Sequence, residues 1–214
     1  MTRKLFWDDP YRSALDTVVA SVDGETVRLA ETIFYAFSGG QESDHGCIGG
    51  LPVLEARRQG HDIAYTLPAG HGLHSGMPVT VEIDWPRRYR LMRLHFAAEL
   101  VLELVCARCP GIDRIGAHIG ADKARIDFAW PQPLTPLLPD LHGQVSALIE
   151  ADRPIISAFS DAANERRYWE VEGIARVACG GTHLRRTGEV GVLALKRRNV
   201  GKGKERVEIL LADG

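Results

Sequence analysis

Two pairs of side chains with metal-binding chemistry constrain this chain more than any other feature. His95 and Glu99 stand four residues apart in RLHFAAELVLELV, and Cys179 and His183 stand four apart in Cys179-Gly-Gly-Thr-His183. Apolar residues recur at helical spacing around the first pair, which predicts a helix with both donors on one face. The second pair brackets a Gly-Gly and predicts a tight turn. If the pairs share one ion, the fold must bring a helix face to a glycine-rich turn more than eighty residues further on. One sulfur, two nitrogens and one carboxylate oxygen form a borderline-soft donor set that suits tetrahedral zinc better than magnesium or calcium. On the residues alone a blander reading stays open, in which His95 and Glu99 are ordinary helix residues and Cys179 is a small hydrophobe.

Composition narrows the classes. The 214 residues are 45% hydrophobic and 25% charged, ordinary for a globular chain long enough for two small domains. With 26 basic against 28 acidic residues the formal charge is −2, so any nucleic-acid contact must come from local clusters. Four cysteines without regular spacing and the polar N-terminus MTRKLFWDDPYR point to a reducing cytosol. The longest apolar run carries Glu99 and Glu103 and is too short to span a bilayer, so no membrane role is expected.

Short β-rich runs fill the first part of the chain, beginning with ALDTVVASV and ETVRLA around Asp23-Gly24 and continuing through VLEARR, DIAYTL and PVTVEID. They predict a small β-barrel over residues 1–86. Residues 87–214 are expected to form a second domain, with helices packed on a largely antiparallel sheet, giving an α+β protein. Within it RIGAHIGADKARIDFAW reads as a hairpin and DAANERR as a short helical turn. EGIARVA reads as a strand ending at Cys179, and His183 as the start of a helical turn. His71 and His74 lack a nearby cysteine or carboxylate and His118 is read as structural, so none is assigned as a ligand. Cys106 and Cys109 close a helix without a second C-x-x-C and read as structural thiols.

Arg87, Arg88 and Arg93 crowd the start of the His95 helix, where cations oppose the helix dipole. Phosphate binding and a solvated basic turn explain them equally well. Lys202 and Lys204 lie in a basic turn between two strands and read either as RNA contacts or as a soluble sheet edge.

Three blocks resemble the freestanding alanyl-tRNA editing proteins, relatives of the editing portion of alanyl-tRNA synthetase. They are Thr32-Ile-Phe-Tyr-Ala-Phe-Ser-Gly-Gly-Gln41 with Asp44 and Gly46, the helix from Arg93 to Glu99, and Cys179 to Ile209. The middle block departs from the family, which has His-x-x-x-His where this chain has Glu99 at the second position. The resemblance implies a zinc-dependent hydrolase that removes serine or glycine from alanine tRNA. It implies zinc ligation by His95, Glu99, Cys179 and His183, and a pocket lined by Thr32 and Gln41. It also weights Arg87, Arg88, Arg93, Lys202 and Lys204 toward tRNA contact. Glu99 leaves room for an alternative, a zinc-stabilised tRNA-binding module without hydrolysis. A threonyl-tRNA editing module shares less of the glycine-rich block.

Overall fold

A computed structural model describes residues 1–212, which divide into two compact units: residues 1–38 with 42–89, and residues 39–41 with those from 90 onward.

In the first unit, strands β1 (Arg3–Lys4), β2 (Ala14–Asp23), β3 (Thr26–Leu29), β4 (Glu31–Thr32), β5 (Gly46–Ile48), β6 (Leu51–Pro52), β7 (Glu55–Gln59), β8 (Asp62–Thr66) and β9 (Pro78–Ile83) follow one another. Seven of them form one sheet in the order β6-β5-β9-β2-β3-β8-β7, while β1 and β4 pair in parallel. The long strand β2 makes the curl possible. Its first half pairs with β9 and its second with β3, and the register slips between Val19 and Ser21, which bends the strand into a half-barrel. Alternation along β2 sends Leu15, Thr17 and Val19 inward, where they meet Val27, Leu29, Phe34, Tyr65 and Val81, all shielded from water. Each such large apolar side chain contributes up to about 1.5–3 kcal/mol by leaving water.

Helix α1 (Trp85–Arg108) opens in the first unit and has most of its 24 residues in the second. Asp84 caps it, its carboxylate accepting from the Arg87 amide at 3.1 Å and its carbonyl from the Arg88 amide at 2.9 Å. Leu94, Phe96, Ala97, Leu100, Val101 and Val105 are all buried, so the helix is covered on more than one face.

The second unit continues with β10 (Asp113–Ile119), β11 (Ala124–Ala129), α2 (Leu138–Glu150), β12 (Ile156–Asp161), β13 (Arg166–Val171), β14 (Ala175–Ala178), β15 (Leu193–Asn199) and β16 (Lys204–Leu211). These strands make two antiparallel sheets, β10-β11-β16-β15 and β12-β13-β14. The molecule is thus mixed, with mostly antiparallel sheets and few helices, as expected of an α+β chain.

Two local expectations need correction. DAANERR is a hairpin turn between β12 and β13, because Asp161 binds the amide and side chain of Asn164 and Glu165 adopts a left-handed φ of 54°. His183 lies in irregular backbone, and the single helical turn nearby spans Thr187–Val190. Among the described residues, no helix is long and apolar enough to cross a membrane.

Candidate functional site

The second unit brings three of the four expected donors together. His95 projects from α1, Cys179 follows β14 directly, and His183 sits four residues later; their ligating atoms all lie within 4.8 Å of one another. The Cys179 sulfur is 3.5 Å from His95 Nε2 and 3.3 Å from His183 Nε2. Zinc–sulfur and zinc–nitrogen bonds at a tetrahedral angle separate sulfur and nitrogen by roughly 3.5 Å, so the donors already have the spacing zinc requires. Both histidines are buried, at 4% and 3% exposure. Ser157 on β12 faces His183 Nδ1 at 3.1 Å and orients the ring so that Nε2 meets the sulfur.

Glu99 is not a member of this three-residue cluster. It stands one helical turn from His95, with Oε1 3.3 Å from His95 Nε2, while Oε2 accepts the indole N–H of Trp169 at 3.2 Å. Burial opposes charging of His95, but Cys179 and Glu99 outweigh it and raise the imidazole pKa. Burial likewise opposes charging of Glu99, and the His95 and Trp169 hydrogen bonds overcome it to hold the carboxyl well below its usual range. His183 is driven the other way, first by burial and then by its cationic neighbour His95.

Backbone approach explains the glycines. A Cβ on Gly181 would lie 2.1 Å from His95 Cε1 and 2.9 Å from Gln41 Oε1, so only glycine lets the turn pass beside the ring. At Gly40, a φ of 91° and a Cβ that would lie 2.7 Å from the Ala117 carbonyl impose the same choice. That close passage places Gln41 against β10, where the Ile119 amide donates to Gly40 O at 2.8 Å. Gln41 then clasps the turn: its Nε2 donates to Thr182 Oγ1 at 2.9 Å and its Oε1 accepts from the Thr182 amide at 3.3 Å. A cavity of about 20 Å³ lies beside His95 and Glu99, bordered also by Gly39, Arg114 and Ala117.

The remaining expected residues fall elsewhere. Thr32 has no exposed surface; its hydroxyl bonds Tyr65 OH at 2.7 Å and accepts from the Phe34 amide at 3.0 Å, so the first unit uses it internally. Arg88 offers no edge to a phosphate. It is fully buried, grips both oxygens of the equally buried Asp44, and donates to the carbonyls of Ile33 at 2.6 Å and Pro10 at 3.0 Å. That ion pair is the reason an arginine is tolerated where the helix dipole disfavours it. Arg87 binds Glu42 at 2.6 Å and the Ser43 carbonyl, and Arg93 donates to the Val190 carbonyl at 2.9 Å. Lys202 and Lys204 are exposed. Ser157, Trp169 and Thr182, which orient the donors, were not singled out in sequence. Of these, only Thr182 sits inside a conspicuous motif.

Residues 170–208, spanning Cys179 and His183, match the family described as threonyl and alanyl tRNA synthetase second additional domain. The whole chain is similar to the alanyl-tRNA editing proteins AlaX-M of Methanosarcina barkeri, 32% identical with all of both chains covered, and of Pyrococcus horikoshii, 30% identical over 99% of this chain and 98% of that one. It is also 34% identical to the alanine–tRNA ligase of Ignicoccus hospitalis, over 98% of this chain and 26% of the ligase. The chain belongs to the alanyl-tRNA editing protein family.

Proposed function

We propose that this protein hydrolyses the ester joining serine or glycine to the terminal ribose of alanine tRNA, and that His95, Cys179 and His183 hold a zinc ion for the purpose. The observation that carries the reading is the convergence of those three donors at zinc-like spacing in a chain that matches the editing proteins from end to end. Bound zinc would supply Lewis-acid chemistry, polarising the ester or anchoring the substrate. Three protein donors correspond to a site with an open position, whereas four would close it.

The chain's own residues divide the remaining work. Glu99, tethered by Trp169, borders a cavity with room for a single water and can orient that water by accepting a hydrogen bond from it. Arg114, at the rim of the same cavity, supplies positive charge for a developing oxyanion. Gln41 acts as a positioning residue, since both ends of its amide are committed to Thr182. An aminoacyl ester is already activated, so a placed water and charge stabilisation are sufficient chemistry.

Incubation of the purified protein with Ser-, Gly-, Thr- and Ala-tRNA tests the reading. Release from the first two alone supports it, and release from threonine alone would transfer the chain to threonyl editing. Release from none would leave a tRNA-binding module without hydrolysis.

A further inference from the structure

One face of the β10-β11-β16-β15 sheet carries a charge pattern that neither the metal centre nor the fold accounts for. The antiparallel register sets Lys196, Glu208, Arg125 and His118 in one row across the four strands, and Arg198, Arg206, Asp127 and Gly116 in the next. Lys123, in the turn just before β11, and Lys204 on β16 flank these rows. Six cations therefore share the face with three carboxylates, Glu208, Asp127 and, beside Lys204 in the register, Asp113, an excess of three positive charges on a chain whose formal charge is −2.

Two of the carboxylates, Asp127 and Glu208, lie beneath the cations and orient them. Asp127 takes Arg206 through Nε at 2.5 Å and Nη2 at 3.1 Å, and also takes Arg125. Glu208 takes Lys123 at 2.5 Å and the Nε of Arg198 at 3.3 Å. The Glu208 side chain is 7% exposed and that of Asp127 14%, whereas Lys123 is 46% and Arg198 65% exposed. Each carboxylate thus fixes two cations and leaves their outer N–H groups facing water. Arg198 and Arg206 also stand directly opposite each other, a like-charge pair that the two carboxylates hold in place. On the opposite face Arg197 pairs with buried Glu205.

We infer that this sheet face is a docking surface for the phosphate backbone of RNA, with Lys196 and Arg198 among its contacts. Strands about 4.8 Å apart and same-face residues about 6.8 Å apart along a strand spread the cations over a patch several phosphates wide. A backbone is the occupant because the pattern offers repeated point charges and bidentate guanidinium groups without an apolar centre, which suits polyphosphate rather than a protein hot spot. The inference rests on the reading above that the substrate is a tRNA.

The test measures binding of uncharged alanine tRNA, by fluorescence anisotropy across a salt series, for the wild type and for Lys196→Gln/Arg198→Gln. Both side chains are exposed, and zinc content and the thermal midpoint serve as checks on folding. Losing two phosphate contacts should flatten the slope of log K against log salt by about 1.4–1.8 and weaken binding about 40-fold at 0.1 M salt. Lys196→Arg/Arg198→Lys should restore both, and Arg57→Gln/Arg58→Gln on exposed β7 should change neither. An unchanged slope in the first variant, or an equal loss in the β7 control, overturns the proposal. So does loss of binding to anionic phospholipid vesicles with tRNA binding intact. Deacylation is scored separately. A wild type that deacylates while the double variant binds tRNA normally keeps the function and loses this face; one that binds through the face without deacylating keeps the face and loses the enzyme.

Discussion

Replacing Gly181 by alanine adds one methyl group, and the structure specifies where that methyl goes. The Cβ would lie 2.1 Å from His95 Cε1 and 2.7 Å from its Nδ1, so the ring must retreat by about 1.3 Å to reach ordinary contact near 3.4 Å. Zinc–ligand distances tolerate only about 0.2 Å, so a displacement of that size removes His95 as an effective donor. The same methyl meets Gln41 Oε1 at 2.9 Å and loosens the clasp on Thr182. Zinc affinity should therefore fall by at least about 100-fold, the upper range for losing a residue that merely orients a ligand. Overpacking should cost about 1–3 kcal/mol of stability, leaving the chain folded. Gly180→Ala is the matched control, because its Cβ would have no atom within 4 Å. Competition with a chromogenic chelator gives the two affinities, and urea unfolding confirms that both variants fold. Wild-type zinc affinity in Gly181→Ala, or equal losses in the two alanine variants, would refute the steric argument and the centre built on His95.

Arg88→Met should cost about 3–5 kcal/mol in urea unfolding, because Asp44 is left charged and buried; adding Asp44→Asn should recover much of it. Thr32→Val strands Tyr65 OH and the Phe34 amide, so about 1–3 kcal/mol should be lost while zinc content holds, and a change in zinc binding without loss of stability would contradict that assignment. Hydrogen bonds from Arg197 lower the pKa of Glu205, against a smaller opposing effect of burial. A carboxyl depressed on folding stabilises above its unfolded pKa, near 4.3, and loses that contribution as pH falls toward the folded value. Glu205→Gln should accordingly flatten the decline of the urea midpoint below about pH 5, and an unaltered profile would show that the pair contributes nothing.

The cluster of His95, Cys179 and His183 is legible where spacing fixes geometry. A four-residue interval in a helix puts His95 and Glu99 on one face, and Gly-Gly before Thr182 allows the turn that returns Cys179 and His183. Spacing does not choose a rotamer, however. Glu99 turns to Trp169, whose strand β13 is hard to read in sequence because RRYWEV lacks strict polar and apolar alternation and its first two residues, Arg166 and Arg167, belong to the run expected to be a helical turn. The role of Arg88 is hidden in the sequence for a related reason. The sequence shows a cation in an unfavourable place at a helix start, but its partner Asp44 lies 44 positions earlier in a glycine-rich loop, and only the fold joins them.

The basic sheet face shows why total charge is a poor guide to partners. In a strand, neighbouring residues point to opposite sides, so Lys196-Arg-Arg198 sends Arg197 inward to Glu205 and the other two outward. Across the register, Glu205, Val207 and Ile209 share the inner side, while Lys204, Arg206 and Glu208 share the outer. A formal charge of −2 averages over both sides and conceals that three surplus cations lie on one of them. Period-two alternation was readable in both strands. What was missing was the pairing of β16 with β11, which adds Arg125 and Asp127 to the face and turns a basic hairpin into a continuous surface.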